Sequence, residues 1–230
     1  AAKHAWEGRY LDAAKDLGMI VPNAALRVVG GAVGIAARTV SPMGGLLGNV
    51  IDALNPTIPP ARKLSQKEKE MFRGIYGDSL DMDRIRVRNY TIGGDRPHSL
   101  GNGIYMRPGW RFEDGGSMSL TNPDGSFNEI GTEILVHEGA HVWQNQNGYG
   151  YLFETALARG KEWLLHKDTE RVYNWTEYAK EGVPFEKLNA EAQGQLIQDY
   201  YASPQMIQRS GLGDYAEEAM KKVRAGKGAA

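Results

Sequence analysis

The sequence predicts an α+β fold that is mostly helical, with a small antiparallel sheet and an N-terminal helical extension. Helical patterns occur at residues 6–17 and dominate the chain again from residue 126 onward. Between them, at residues 84–120, short runs that alternate apolar and polar residues are separated by glycine, proline and aspartate, which is typical of strands and turns.

The composition indicates a folded globular protein. Hydrophobic residues make up 41% and charged residues 24% of the 230 residues, which is the ordinary globular mixture. The formal net charge is −1, so no strong field is present to attract nucleic acid. The chain has no cysteine, which excludes disulfides and thiolate metal sites, and any metal must be bound by His, Asp or Glu.

The chain divides into a predicted extension and linker at residues 1–60 and a predicted catalytic domain at residues 61–230. Residues 19–54 are apolar and glycine-rich, but Pro22, Arg27 and Arg38 interrupt them. No apolar run reaches the length of about 20 residues that a bilayer-spanning helix needs, and we interpret this stretch as non-spanning. The proline-rich residues 55–60 disfavour helix on either side and mark the boundary.

Local signals place the elements of the second domain. Ser65 with Glu68 three residues later has the spacing of a capping box, and it opens a helix that Gly77 ends. Ser126 with Glu129 repeats this spacing and predicts the start of a second helix. The runs predicted to form the small sheet are residues 84–92, 103–106 and 117–120.

The second helix carries the pattern His-Glu-x-x-His. His137 and His141 are four residues apart, so both imidazoles lie on one helical face and can bind a single ion. Glu138 lies about 100° further around the helix, beside the ion, where a general base is needed. Bound zinc lowers the pKa of water from about 15.7 towards about 7, and a carboxylate in this position takes its proton during attack on a carbonyl. The pattern therefore predicts a Zn²⁺-dependent hydrolase.

Two further residues qualify this motif. Gly139 costs about 1 kcal/mol of helix propensity relative to alanine, and we expect another segment to pack closely against this turn. A metzincin would continue the motif with glycine and a third histidine, but Gln144 and Asn147 occupy those positions. That class is excluded. The alternative for the motif is a buried helix with two packed histidines and an ion-paired glutamate.

A third protein ligand is expected because catalytic zinc commonly has three and keeps one position open. Glu191 is preferred, since Asn189 can cap a helix that carries it on a second rigid element. Acidic residues are also favoured in the first turn of any helix, so Glu191 has a purely structural interpretation. His166 and Glu154 remain as alternative ligands.

Three residues near the end of the same predicted helix are candidates for assisting roles. Asp199 lies two turns after Glu191 and could orient a ligand histidine from behind. Tyr200 and Tyr201 could donate a hydrogen bond to an oxyanion, although tyrosines at helical spacing more often pack.

Residues 135–144, Leu-Val-His-Glu-Gly-Ala-His-Val-Trp-Gln, resemble the core of the metallopeptidase effectors attached to VgrG and Rhs proteins of type VI secretion systems. Residues 188–193 and 199–201 are similar to the third-ligand segment of that family, with its glutamate at Glu191. Further landmarks look similar at residues 76–81 and 100–105. The resemblance covers about residues 61–202.

The resemblance implies a gluzincin-like zinc peptidase in which His137, His141 and Glu191 bind Zn²⁺ and Glu138 is the general base and acid. It also implies an antibacterial or host-directed toxin, secreted into a target cell and acting in the periplasm. A VgrG- or Rhs-like secretion carrier, a cognate immunity protein, and a protein or peptide substrate are the expected partners. Residues 19–54 would then contact a chaperone or a membrane, or form a helical hairpin over the catalytic core.

The substrate is expected to lie along the sheet, and we hypothesise that an extended peptide pairs with residues 117–120 by strand addition. Two rival functions stay open. The same ligands suit an amidohydrolase that acts on cell-wall peptides, and a non-catalytic module would use zinc only to stabilise a binding surface. A structural zinc site would be closed by a fourth protein ligand.

Overall fold

The computed structural model describes residues 61–91, 97–106, 109–111, 117–148 and 170–229. The predicted extension, residues 1–60, lies outside them, and so do the alternative ligands His166 and Glu154. Within the described ranges, no helix is both long enough and apolar enough to cross a bilayer.

Helices form most of the described chain, which confirms the α+β class together with the small sheet. The α-helices are α1 (Gln66–Tyr76), α2 (Glu129–Asn147), α3 (Trp175–Lys180), α4 (Ala190–Ala202), α5 (Pro204–Arg209) and α6 (Gly213–Arg224). Short 3₁₀ turns lie at Met82–Arg84, Glu170–Tyr173 and Phe185–Lys187.

Two small sheets accompany the helices. The first contains β1 (Arg86–Arg88), β2 (His98–Leu100) and β3 (Gly103–Tyr105), in the order β1-β3-β2, and the second contains β4 (Gly109–Arg111) and β5 (Ser117–Ser119). The pairs β2-β3 and β4-β5 are antiparallel, whereas β1 runs parallel to β3. The three-stranded sheet is thus mixed and not wholly antiparallel as expected. Alternation of side chains indicates which face of a strand is buried but carries no information on strand direction.

The predicted capping box at the start of α1 is confirmed. The hydroxyl of Ser65 accepts a hydrogen bond from the backbone N–H of Glu68, and the Glu68 carboxylate accepts one from the N–H of Ser65 at 2.7 Å. Arg62 donates hydrogen bonds from Nη1 and Nη2 to the two oxygens of the same carboxylate, each at 2.7 Å. Gly77, with φ of 59°, ends the helix as predicted.

The start of α2 differs from the prediction in its capping residue. Ser126 is not the N-cap, because its hydroxyl and its N–H both bind the carboxylate of Asp124 in the preceding turn. Asn128 caps the helix instead, since its Oδ1 accepts from the N–H of Gly131 at 2.8 Å. The Nδ2 of Asn128 also donates to the carbonyl of Ser119 at 2.7 Å. One side chain therefore fixes the helix start against β5.

The strand hypothesised to receive a peptide exists, as β5. It pairs with β4 along one edge. The carbonyl of Ser119 is already occupied by Asn128, so a peptide added to this strand would find that acceptor in use. Strand addition at residues 117–120 stays a prediction.

Helix α2 runs through the centre of the described domain. Every residue from Ile134 to Gln144 is buried. Tyr76 of α1 donates its hydroxyl to the carbonyl of Val136 at 2.9 Å. Trp143 donates its indole N–H to the carbonyl of Val223 in α6 at 3.1 Å. These buried hydrogen bonds tie the motif helix to elements that are distant in sequence.

Gly139 is explained by the packing of α1, as expected. A Cβ at this position would lie 2.6 Å from Cζ of Phe72 and 3.2 Å from the hydroxyl oxygen of Tyr76. Phe72 and Tyr76 are themselves fully buried and in edge contact with each other. The two buried rings therefore cannot move away from an added Cβ, and only glycine allows α1 to approach the motif helix this closely.

Two glycines in helix interiors offer a matched test of this packing. Gly139→Ala should lower the free energy of unfolding by about 1–3 kcal/mol through overpacking, despite its better helix propensity. Gly74→Ala in α1 should raise it by about 0.5–1 kcal/mol, because nothing lies within 4 Å of the added Cβ. Denaturant unfolding of the two variants measures both effects. Stabilisation by both substitutions would contradict the close approach of Phe72.

Candidate metal centre

Helix α2 presents the two histidines of the motif on one buried face. His137 and His141 are 6% and 3% exposed, and their ring centroids lie 4.9 Å apart with the planes nearly perpendicular. The spacing of one helical turn produces this arrangement. The two rings thus converge on a common point beside the helix, as their positions in the sequence predict.

Helix α4 brings a carboxylate to the same point. Asn189 caps this helix as predicted, its Oδ1 accepting from the N–H of Ala192 at 3.0 Å. Glu191, in the first turn, is 4% exposed. Its Oε2 lies 3.3 Å from Nε2 of His137 and 3.5 Å from Nε2 of His141. The structure therefore brings together the three residues that the sequence offered as ligands.

Gly194 makes this approach possible. It lies one turn after Glu191 on α4, and a Cβ there would lie 3.1 Å from Cε1 and 3.3 Å from Nε2 of His137. Such distances are tighter than ordinary van der Waals contact. The imidazole edge of His137 therefore rests directly on the backbone of α4, and a side chain at this position would displace it.

His141 is held from its far side by a glutamine of its own helix. Its Nδ1 lies 2.8 Å from Oε1 of Gln144, which is fully buried. Burial by itself lowers the pKa of His141, but the charge of Glu191 and its hydrogen bond to the ring, then the charge of Glu138 and the hydrogen bond to Gln144, raise that pKa above its ordinary value. The surroundings of this ring thus favour a positive charge, which either a proton or a metal ion supplies.

Glu138 occupies the neighbouring face of α2. It is 6% exposed, and its Oε2 has no hydrogen-bond partner among the described residues. Burial, and then the charge of Glu138, raise the pKa of Tyr76 well above its ordinary value. Tyr76 therefore keeps its proton and its bond to Val136. A buried carboxylate oxygen beside a ligand cluster is suitably placed to accept a proton from a bound water.

The donor set fits zinc. Atoms from His137, His141 and Glu191 lie within 4.8 Å of one another, and each of the three side chains is buried. Two imidazole nitrogens and one carboxylate oxygen are a common ligand set for catalytic zinc. Within the part of the chain that the structure describes, no fourth His, Asp or Glu joins the group.

The candidates for assisting roles are placed elsewhere. Asp199 does not orient a ligand histidine, because its two carboxylate oxygens accept from Nε1 of Trp175 and Nε2 of Gln195, each at 2.8 Å. Tyr200 donates its hydroxyl to Glu217 of α6 at 2.7 Å. Tyr201 is 39% exposed. Asp199 and Tyr200 thus bind α4 to neighbouring elements, and Tyr201 faces solvent.

Two residues near the cluster escaped the sequence analysis. Tyr173, in the 3₁₀ turn Glu170–Tyr173, places its ring centroid 6.4 Å from that of His137, and nothing in the local sequence signals this contact. Gln144 is the second, since the sequence pattern assigns it no contact with a ligand histidine. Its position three residues after His141 on one helix was the available signal, since such pairs are neighbours on a helical surface.

No protein-family model and no solved structure matches this chain. Among curated proteins, the type VI secretion system spike protein VgrG2b of Pseudomonas aeruginosa is similar to it, with 27% identity over 181 residues. The similar region covers 78% of this chain but only 16% of the spike protein. The chain therefore corresponds in length to a small part of that relative.

The role of Gly194 leads to a test of the ligand geometry. Gly194→Ala should weaken zinc binding by about tenfold, at the lower end of the loss seen when ligand orientation is disturbed. In a His137→Ala background, where the ring is absent, the same substitution should raise the free energy of unfolding by about 0.5–1 kcal/mol. Competition with a chelating dye and denaturant unfolding report the two effects. Unchanged zinc affinity in Gly194→Ala would refute the contact.

Proposed function

We propose that this chain is a zinc-dependent hydrolase that cleaves peptide bonds. The observation that carries the proposal is the buried convergence of His137, His141 and Glu191, with the carboxylate of Glu138 beside them on α2. Three protein ligands among the described residues, with a further carboxylate beside them that is not a ligand, suit catalysis, whereas a structural zinc site is closed by four protein ligands. The arrangement thus favours an enzyme over a zinc-stabilised binding module.

The residues divide the reaction between them. Zinc, when bound, would polarise the scissile carbonyl and lower the pKa of a water molecule. His137, His141 and Glu191 would hold the ion from one side and leave the other side to water and substrate. Glu138 would accept a proton from the water while the water oxygen bonds to the carbonyl carbon. It would then deliver that proton to the amide nitrogen as the C–N bond breaks.

The similarity to a spike protein supports a place in type VI secretion. We infer that the chain is a secreted effector domain, carried by or attached to a VgrG- or Rhs-like protein, and that it acts as a toxin in the periplasm of a target cell. A toxin of this kind requires a cognate immunity protein in the producing cell. The limited share of the relative that this chain covers, 16%, agrees with a domain attached to a larger carrier.

The decisive experiment separates zinc binding from chemistry. Glu138→Gln should bind one zinc per chain, as the wild type does, because Glu138 is not among the ligands. Its peptidase rate should fall by about 10²–10⁴-fold through loss of the general base. Glu129→Gln, at the start of the same helix, is the matched control and should remain active. Equal activity of wild type and Glu138→Gln, both loaded with zinc, would end the proposal.

The substrate and the compartment are decided with the same variants. Casein and purified peptidoglycan are incubated separately with each protein, and each gene is expressed with and without a periplasmic export signal. Cleavage of casein with toxicity only after export supports the proposed function. Release of peptides from peptidoglycan alone would instead identify a cell-wall amidohydrolase.

Removal of the metal should abolish activity without unfolding the protein. The core of α1, α2 and α6 is formed by apolar packing and buried hydrogen bonds, and a domain of this size does not need a metal to fold. Zinc at 100 times its Kd should add about 2.7 kcal/mol to the free energy of unfolding. Circular dichroism and thermal unfolding with and without EDTA test this. Loss of helical signal on chelation would contradict it.

A further inference from the structure

A chain of buried amide groups connects His141, by way of α4, to the polypeptide backbone of two other segments. Gln144 and Gln193 are both fully buried, and the Nε2 of Gln144 donates to the Oε1 of Gln193 at 3.0 Å. The amide of Gln193 donates in turn to two main-chain carbonyls, of Phe185 at 3.0 Å and of Gly228 at 2.7 Å. The connection therefore crosses from the motif helix to two other segments.

The direction of every hydrogen bond in this chain is determined at its backbone end. Carbonyl oxygens only accept, so Gln193 must turn its NH₂ group towards Phe185 and Gly228. Its Oε1 must then face Gln144, which can approach it only with an NH₂ group. The structure thus leaves no choice in the orientation of either amide, although amide orientation is in general an assignment made from the surrounding network.

The second amide transmits this direction to the metal site. The NH₂ group of Gln144 is fully used by Gln193 and by the carbonyl of Ala190 at 2.9 Å. Its Oε1 therefore faces Nδ1 of His141, 2.8 Å away. Because this oxygen only accepts, Nδ1 must carry a hydrogen. In the neutral ring, Nε2 then carries the lone pair, and it is Nε2 that lies 3.5 Å from Glu191.

We propose that Gln144 and Gln193 are positioning residues that hold His141 in the tautomer and orientation in which Nε2 binds the metal. The proposal deepens the proposed function and rests on it, since it assigns these glutamines a purpose in the same site. The hydrogen-bonded chain from Gln193 through Gln144 to His141, called the relay from here on, also explains why α4 supplies more than the ligand Glu191. Ala190 and Gln193, on either side of that ligand, fix the partner of the opposite ligand histidine.

The relay predicts linked losses of zinc affinity. Gln144→Met keeps the length of the side chain but removes the acceptor, and Gln193→Met removes the group that orients Gln144. Each should weaken zinc binding by about 10–100-fold. The double variant should bind zinc no more weakly than the single variant with the lower affinity, because both substitutions break the same chain of hydrogen bonds. Gln146→Met is the matched control on the same helix, bonded to Asp81 and Asn102, and should bind zinc as the wild type does.

Zinc affinity, measured by chelator competition, is compared with the free energy of unfolding of each metal-free variant. A structural role would lower stability and leave the zinc affinity of the folded protein unchanged. That result in Gln144→Met, or additive losses in the double variant, would overturn the proposal. If Gln144→Met does not fold, Gln193→Met alone decides, since its substitution lies one residue further from the site.

A measurement on the metal-free protein tests the relay independently of zinc and activity. The carboxylate of Glu191, 3.5 Å from Nε2 of His141, competes for the ring hydrogen, so Glu191→Ala is the background for this test. Nitrogen-15 NMR of that variant, at a pH where the ring is neutral, should show His141 with hydrogen on Nδ1, and adding Gln144→Met should remove this preference. Hydrogen on Nε2 in Glu191→Ala would overturn the relay even if the wild type is an active zinc peptidase. Hydrogen on Nδ1, with no zinc bound by the wild type, would leave the tautomer intact and end the proposed function and the positioning role that depends on it.

Discussion

The contact between α2 and α4 is the constraint on which the site depends. Glu191 must reach within 3.3 Å of His137 across this contact, and an ordinary side chain at Gly194 would push the ring aside. Gln144 meets Ala190 while His137 meets Gly194, so the two helices run antiparallel. A ligand set of this kind therefore requires not only three donors but also a bare patch of helix backbone opposite one of them.

Such a contact is costly, because polar side chains are buried at its centre. A buried polar group that is left unpaired costs about 1–3 kcal/mol in proteins, and a charged group costs more. The amides of Gln144 and Gln193 are paired at each end. Nδ1 of His137 and Oε2 of Glu138 have no partner among the described residues. Exceptions of this kind are expected where a site is kept for function and not only for stability.

The sequence was sufficient for features that depend on short-range geometry. The shared face of His137 and His141 follows from helical spacing, and the need for close packing at Gly139 follows from the cost of glycine in a helix. The N-cap was misplaced because Ser126 has a better local partner in Asp124, and only tertiary structure reveals that Asn128 also binds β5. The sequence identifies Glu191 as a candidate ligand but does not distinguish it from an ordinary first-turn carboxylate, because its approach to α2 depends on contacts between residues distant in sequence.

The relay raises the question of why a glutamine, and not a carboxylate, supports His141. A carboxylate behind a ligand histidine makes the imidazole more basic and adds negative charge near the ion. Glu191 already supplies one negative charge to the ligand set and Glu138 a second beside it. In the proposed zinc hydrolase, a neutral amide would fix the tautomer without adding a third, and so would preserve more of the positive charge of a bound Zn²⁺ for polarising a carbonyl. An amide also has two donors, which a carboxylate lacks, and those donors are what join the histidine to α4.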